Sequence, residues 1–133
     1  MANAAIKKAR PKYLSLAALL FEIRLPLPAW VSILHRISGT LLFLGTVWLL
    51  FLLDRSLVSA AGFESVKAYA SHPLVKIALL VLIWSYSHHF CAGIRFLFLD
   101  IHKGIDKETA RVTSIIVIVA GLALTALFGA RLL

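Results

Sequence analysis

The sequence contains few charged residues, and very few of these are acidic. Charged side chains make up 15% of the 133 residues and hydrophobic ones 61%, with a mean hydropathy of +0.93. Soluble domains average about 25% charged residues, so this composition excludes an ordinary soluble domain and indicates a membrane protein. Six Asp and Glu stand against fourteen Lys and Arg, a formal charge of +8. Basic residues in a membrane protein set topology and contact anionic lipid, so we expect no nucleic-acid partner.

Cysteine is nearly absent as well. The one cysteine, Cys91, cannot form a disulfide within the chain, and no C-x-x-C-H sequence is present for covalent haem attachment. Any haem held by this chain would therefore be bound non-covalently. Carboxylates are missing from the long apolar runs, which disfavours a proton-coupled transporter, because such proteins usually keep an Asp or Glu in the membrane.

Three apolar stretches are long enough to cross a bilayer, which takes about 20 residues of helix. They cover approximately residues 29–53, 74–99 and 112–130, with short connections between them. We therefore predict an all-α membrane protein with three transmembrane helices, forming one three-span membrane domain over residues 29–133. Residues 1–28 are a cytoplasmic or interfacial leader. Its apolar run is too short to span, which predicts a short N-terminal interfacial segment.

The basic residues are distributed unevenly about these spans. By the positive-inside rule, the side richer in Lys and Arg is cytoplasmic. This predicts a multi-pass protein with its N-terminus in the cytoplasm and its C-terminus outside. The cytoplasmic set is Lys7, Lys8, Arg10, Lys12, Arg24, Arg36, Arg95, Lys103, Lys107 and Arg111, and the outer set is Arg55, Lys67, Lys76 and Arg131.

A polar cluster lies near the start of the first span. Its members recur at helical spacing and share one face of the helix: Ser32, His35, Arg36 and Gly39. A charged face at this depth should point into protein or a polar pocket, where these groups could donate hydrogen bonds to a quinone carbonyl or a haem propionate. Alternatively, Arg36 reaches the lipid headgroups and His35 only packs between helices. The pair alone favours neither interpretation.

The second span carries two adjacent histidines, His88 and His89. They point about 100° apart around a helix, so they cannot both ligate one metal. His89 shares its face with Ser85, Ala92 and Gly93, whose small side chains predict a trough for a large flat ligand. A mid-membrane imidazole beside such a trough is a candidate axial ligand of haem, although a lone histidine more often hydrogen-bonds a neighbouring helix.

Two further features indicate packing rather than chemistry. Cys91 points away from His89 and is predicted to be a small packing residue. Small residues also recur every four positions along the third span, which favours a close helix contact: Thr113, Val117, Gly121, Thr125 and Gly129.

With both clusters in view, the sequence resembles the cytochrome b membrane-anchor subunit of succinate dehydrogenase. The resemblance is carried by S-I-L-H-R-I-S-G at 32–39, H-H-F-C-A-G-I-R at 88–95 and Asp100, with R-P at 10–11 and R-L-P-L-P at 24–28. It implies a second three-span anchor subunit, one haem b bound between the two anchors by one histidine from each, and attached iron-sulfur and flavoprotein subunits. The location that the resemblance implies is a bacterial-type cell inner membrane.

Carried over residue by residue, the resemblance implies that His89, and not His88, is the axial ligand of the haem iron. It places Ser32 and Arg36 in the ubiquinone site, and His35 and Arg36 near the haem, His35 beside a propionate. Phe96 stands where many relatives have a histidine, so one secondary contact beside the haem does not carry over. The chain has no flavin or iron-sulfur motif, and its expected role is that of a subunit not catalytic by itself.

Two alternatives stay open from the sequence. One is the anchor subunit of a fumarate reductase, which runs the same chemistry in reverse. The other is a small non-enzymatic membrane transporter or scaffold, for which both polar clusters would lack an explanation.

Overall fold

A computed structural model describes residues 24–132, and this part of the chain forms four α-helices and no strand. They are α1 (Leu27–Val58), α2 (Ala60–Ala70), α3 (Pro73–Asp100) and α4 (Lys107–Gly129). Helices α1, α3 and α4 are long and apolar enough to cross a membrane. The prediction of an all-α membrane protein with three spans is confirmed. The leader predicted over residues 1–28, with its interfacial segment, lies almost entirely outside the described residues.

All three long helices begin before the apolar runs that predict them, and α1 and α3 also end beyond theirs. Helix α1 starts after Pro26 and carries Pro28 in its first turn, where the fixed φ of proline favours helix initiation. Its 32 residues correspond to about 48 Å at 1.5 Å per residue, more than the roughly 30 Å hydrocarbon core. The last turns of α1, with Asp54 and Arg55, therefore extend past the apolar layer.

The segment between the first two spans contains a helix, α2, that the hydropathy pattern does not reveal. Ser59 is extended, with φ −165°, and separates α1 from α2. Its Oγ accepts a hydrogen bond from the backbone N–H of Gly62 at 3.0 Å, which caps α2. A Cβ on Gly62 would lie 2.5 Å from the carbonyl oxygen of Arg55. The missing side chain thus allows α2 to start directly against the end of α1.

The connection from α3 to α4 is fixed at both of its ends. Helix α3 ends in a Schellman motif, in which the N–H of Lys103 donates to the carbonyl of Phe98 and that of His102 to the carbonyl of Leu99, both at 2.9 Å. His102 takes the left-handed position with φ 58°. Asp106 then caps α4, accepting from the N–H of Thr109 at 2.8 Å. This hydrogen bond favours the ionised carboxylate and lowers the pKa of Asp106.

The interior of the bundle is made of small and polar side chains. Helix α3 packs against both α1 and α4, around a core of Val31, Ala92 and Val117. Gly121 and Gly129 of α4 are buried with Val117, as the small-residue stripe predicts. Large apolar side chains instead cover the outside. This arrangement suits a lipid environment, where close helix contact and not burial of large apolar groups holds helices together.

The close approach at Gly62 leads to a testable expectation. The variant Gly62→Ala should lose about 1–3 kcal/mol of unfolding free energy, because its Cβ meets a backbone oxygen that cannot move aside. Helix propensity alone would give the opposite sign, since alanine is favoured over glycine by about 1 kcal/mol. Unfolding of the detergent-solubilised chain, followed by circular dichroism, measures the change. The exposed Ser65→Ala in the same helix is the control, and a Gly62→Ala variant as stable as wild type would contradict the packing described.

Candidate functional site: a histidine pair between α1 and α3

Two histidines from different helices meet inside the bundle. His35 of α1 and His89 of α3 stack with ring centroids 4.0 Å apart and planes inclined by 12°. Gly39 makes room for this contact, because a Cβ there would lie 2.9 Å from Cε1 of His89. Two members of the predicted polar face, His35 and Gly39, therefore contact His89 directly.

Hydrogen bonds fix the orientation of the His89 ring. Its Nδ1 lies 3.1 Å from the carbonyl oxygen of His35 and 3.3 Å from Oγ of Ser38. Ser38 Oγ itself donates to the same His35 carbonyl at 2.9 Å, so towards His89 it acts as an acceptor. Both neighbours of Nδ1 accept, which places the proton of a neutral imidazole on Nδ1. The lone pair then remains on Nε2.

Ser38 is the site residue that sequence reasoning missed. It is completely buried and lies one helical turn after His35, within the S-G at the end of the first motif. Its spacing of three residues from His35 was the available signal, since i and i+3 side chains lie on the same side of a helix. Ser38 contacts His89 because α3 packs against α1, and the sequence of α1 alone does not reveal this contact.

His88 occupies a different environment from its neighbour. Its side chain is 2% exposed, and Nε2 is buried without a hydrogen-bond partner among the described residues. The ring packs on Trp84, with centroids 5.5 Å apart, and its backbone lies against Gly121 of α4. His89 is half-buried, and its Nε2 is not among the enclosed polar atoms. Among the described residues, the His88 Nε2 is enclosed by its own chain, whereas the His89 Nε2 is neither enclosed nor hydrogen-bonded.

The remaining predicted residues of the first span do not converge on His89. Ser32 is half-buried and Arg36 is exposed. Within residues 24–132, the guanidinium of Arg36 forms no ion pair, and neither side chain forms a hydrogen bond. Neither side chain therefore uses its hydrogen-bond donors within the described part of the chain.

The trough predicted beside His89 is only partly present. Ser85 and Ala92 are completely buried and pack inside the bundle, so this part of the prediction is wrong. Gly93 is half-buried, and a Cβ there would lie 3.8 Å from Nε2 of His35. Helical spacing correctly identifies residues that share a face, but it does not tell which neighbouring helix covers each part of that face.

Phe96 and Cys91 complete the surroundings of the pair. The Phe96 ring lies against His35, with centroids 4.9 Å apart, so an apolar ring stands on one side of this imidazole. Cys91 is half-buried and packs against the core. Within the described part of the chain, no three His, Cys, Asp or Glu side chains form a metal-binding group.

The fold and the site define a small multi-pass membrane protein that presents one oriented imidazole from a bundle of three spanning helices. The profile of the succinate dehydrogenase/fumarate reductase transmembrane subunit family matches residues 7–128. The chain belongs to this family.

Individual relatives are similar over most of their length. The succinate dehydrogenase cytochrome b556 subunit of Rickettsia prowazekii (strain Madrid E) is 33% identical over 97 residues, 73% of this chain and 75% of the relative. The subunit of the same name from Paracoccus denitrificans is 33% identical over 104 residues, covering 78% and 80% of the two chains. That of Coxiella burnetii (strain RSA 493 / Nine Mile phase I) is 35% identical over 83 residues, covering 62% and 66%.

The contact between Gly39 and His89 can be tested by a double-mutant cycle. Gly39→Ala should cost about 1–3 kcal/mol of unfolding free energy in the wild-type background, because the added methyl displaces the imidazole. In the His89→Ala background most of this cost should disappear, since the opposing ring is gone. Denaturant unfolding of the chain purified alone in detergent measures all four variants. Gly93→Ala, with no comparable contact to His89, is the control, and an equal cost of Gly39→Ala in both backgrounds would refute the contact.

Proposed function

We propose that this chain is the haem b-binding membrane anchor of succinate dehydrogenase and forms part of its ubiquinone-reduction site. The observation that carries the proposal is the orientation of His89, whose Nδ1 is held by the His35 carbonyl and Ser38 while Nε2 remains available. The name cytochrome b556 subunit, shared by relatives at 31–35% identity, supports a haem b.

The donor set fits a haem shared between two chains. A histidine that ligates a metal through one nitrogen usually donates the N–H of the other to a carbonyl or carboxylate, which fixes its tautomer. His89 already makes such a contact. A second axial histidine would come from a second three-span anchor subunit. When bound, the haem supplies a one-electron redox centre, and His35 and Arg36 supply hydrogen-bond donors for its propionates.

Ser32 and Arg36 are the proposed ubiquinone ligands. Neither side chain has a hydrogen-bond partner among residues 24–132, and the two residues lie one turn apart on the first span. A hydroxyl and a guanidinium directed at a quinone carbonyl would stabilise the negative charge that develops on its oxygen during reduction. Arg36 would bring a full positive charge close to that oxygen, and Ser32 would orient the carbonyl by a directional hydrogen bond.

The rest of the reaction belongs to other subunits. A flavoprotein subunit would oxidise succinate to fumarate, removing two electrons and two protons. An iron-sulfur subunit would pass the electrons to ubiquinone, which becomes ubiquinol by taking up two electrons and two protons. The excess of Lys and Arg in the leader and the α3–α4 connection favours a cytoplasmic N-terminus, a C-terminus outside and docking of the soluble subunits on the cytoplasmic side of the inner membrane.

A fumarate reductase anchor is the second candidate. The matching family includes both enzymes, and the proposed site would serve either direction of electron flow. The named relatives given above are all succinate dehydrogenase subunits, which favours succinate oxidation. No observation favours a transporter or a scaffold.

Substitution of the two adjacent histidines tests the ligand assignment. In the purified complex, His89→Gly should abolish the reduced-minus-oxidised spectrum of haem b, and added imidazole should restore part of it by occupying the vacated position. His88→Ala should retain the haem, because the His88 ring is enclosed within its own chain. Haem is measured per flavin, so that loss of assembled complex is counted separately.

Haem retained in His89→Gly, or lost only in His88→Ala, would contradict the assignment. Loss of haem in both variants, with no rescue by imidazole, would indicate that both histidines have a structural role. These results are distinguishable because the flavin content reports assembly independently of the haem.

Two kinetic assays test the quinone site. Arg36→Ala and Ser32→Ala should both lower the rate of ubiquinone reduction by succinate. For Arg36→Ala the loss should be at least about tenfold, which corresponds to roughly 1.4 kcal/mol of transition-state stabilisation. Succinate oxidation by a soluble artificial acceptor should be unchanged. Arg55→Ala, an exposed arginine near the other end of α1, is the charge-matched control. Parallel loss of both activities would assign these residues to assembly instead.

A further inference from the structure

We infer that a cavity between α3 and α4 binds the phosphate of an anionic phospholipid. The cavity has a volume of about 320 Å³ and lies where α3 ends and α4 begins. It is separate from the histidine pair, which lies between α1 and α3. Two basic side chains, Arg95 and Lys103, line it, and no Asp or Glu of residues 24–132 does.

Arg95 is the residue that requires an explanation. Arg95 is only 7% exposed, yet its guanidinium forms no ion pair with any carboxylate in the described part of the chain. A buried charge is costly unless it is paired. Its Nε donates to Oγ1 of Thr113 at 3.1 Å, and the guanidinium carbon lies 5.6 Å from the centre of the Phe96 ring. These contacts fix the group without neutralising it.

The terminal nitrogens of Arg95 remain available to an anion. No hydrogen bond joins either Nη to a residue between 24 and 132, and neither atom is among the enclosed polar atoms that lack a partner. A guanidinium presents these donors in a planar fork that matches two oxygens of a phosphate. The Schellman motif at the end of α3 turns the chain back and brings Lys103 to the same cavity. The site therefore offers two positive charges to one anion.

The rest of the cavity indicates that the anion carries acyl chains. Its lining continues into Ile94, Phe98 and Ile116, which are 42%, 56% and 58% exposed on the outer surface of the bundle. A free phosphate would gain nothing from these side chains, whereas the chains of a phospholipid would cover them. Basic cavities between spanning helices, close to the membrane surface, are suited to anionic headgroups. The lipid would come from the leaflet on the side of the α3–α4 connection.

Lipid titration of the intact complex tests this proposal. The complex, purified in detergent and stripped of lipid, is titrated with phosphatidylglycerol, and bound lipid is counted by native mass spectrometry. We expect one site that discriminates against phosphatidylcholine and is not occupied by inorganic phosphate. Lys103→Gln should weaken it about fivefold, the effect of roughly 1 kcal/mol for one basic residue at the membrane surface. Arg95→Gln should weaken it more than about tenfold.

Arg131→Gln, an exposed basic residue beyond the end of α4, is the matched control and should leave the affinity unchanged. If Arg95→Gln does not assemble, Lys103→Gln decides the matter, because the Lys103 side chain is exposed and its loss removes charge without disturbing the core. Three results would each overturn the proposal. They are equal affinity for phosphatidylcholine, occupation of the site by inorganic phosphate alone, and an unchanged affinity for phosphatidylglycerol in Lys103→Gln. The readout does not depend on haem or on enzyme activity, so it stands apart from the tests of the proposed function.

Discussion

The contact between α1 and α3 at His89 is the constraint on which the proposed site depends. Gly39 lets the two helices approach until the imidazole of His89 reaches the backbone carbonyl of His35. That hydrogen bond determines which nitrogen of His89 carries the proton, and hence which nitrogen keeps its lone pair. Ser38 reinforces the arrangement by bonding to the same carbonyl. A wider separation of the two helices would remove the contacts of His89 Nδ1 with both the His35 carbonyl and Ser38 Oγ.

The membrane setting explains why such a contact can be built from small polar groups. Lipid is as apolar as the side chains it surrounds, so burying large apolar residues brings helices no advantage. The bundle accordingly encloses serines, glycines and valine and exposes its large side chains. The membrane setting also explains the burial of Arg95. It is buried near one end of the bundle, where an anionic headgroup can supply the charge that the described chain does not.

The sequence predicts the three spans because each is a predominantly apolar stretch long enough to cross a bilayer. It does not reveal α2, which depends on Ser59 capping the helix and Gly62 fitting against Arg55, nor the left-handed turn at His102. The motifs identify His35 and His89 as candidates. The packing of α1, α3 and α4 determines the rest: the stacking of the two rings, the role of Ser38, and the burial of Ser85 and Ala92. The periodicity of a single helix carries no information about this packing.

We propose above all that His89 binds a haem iron through Nε2 while Nδ1 stays bound to its own chain. A cryo-electron microscopy structure of the purified complex, at a resolution that separates the imidazole ring from its neighbours, tests it most directly. We expect continuous density from His89 Nε2 to the iron, with Nδ1 facing the His35 carbonyl and His88 remote from the haem. Iron ligated by His88, or haem bound with His89 Nε2 pointing elsewhere, would contradict it.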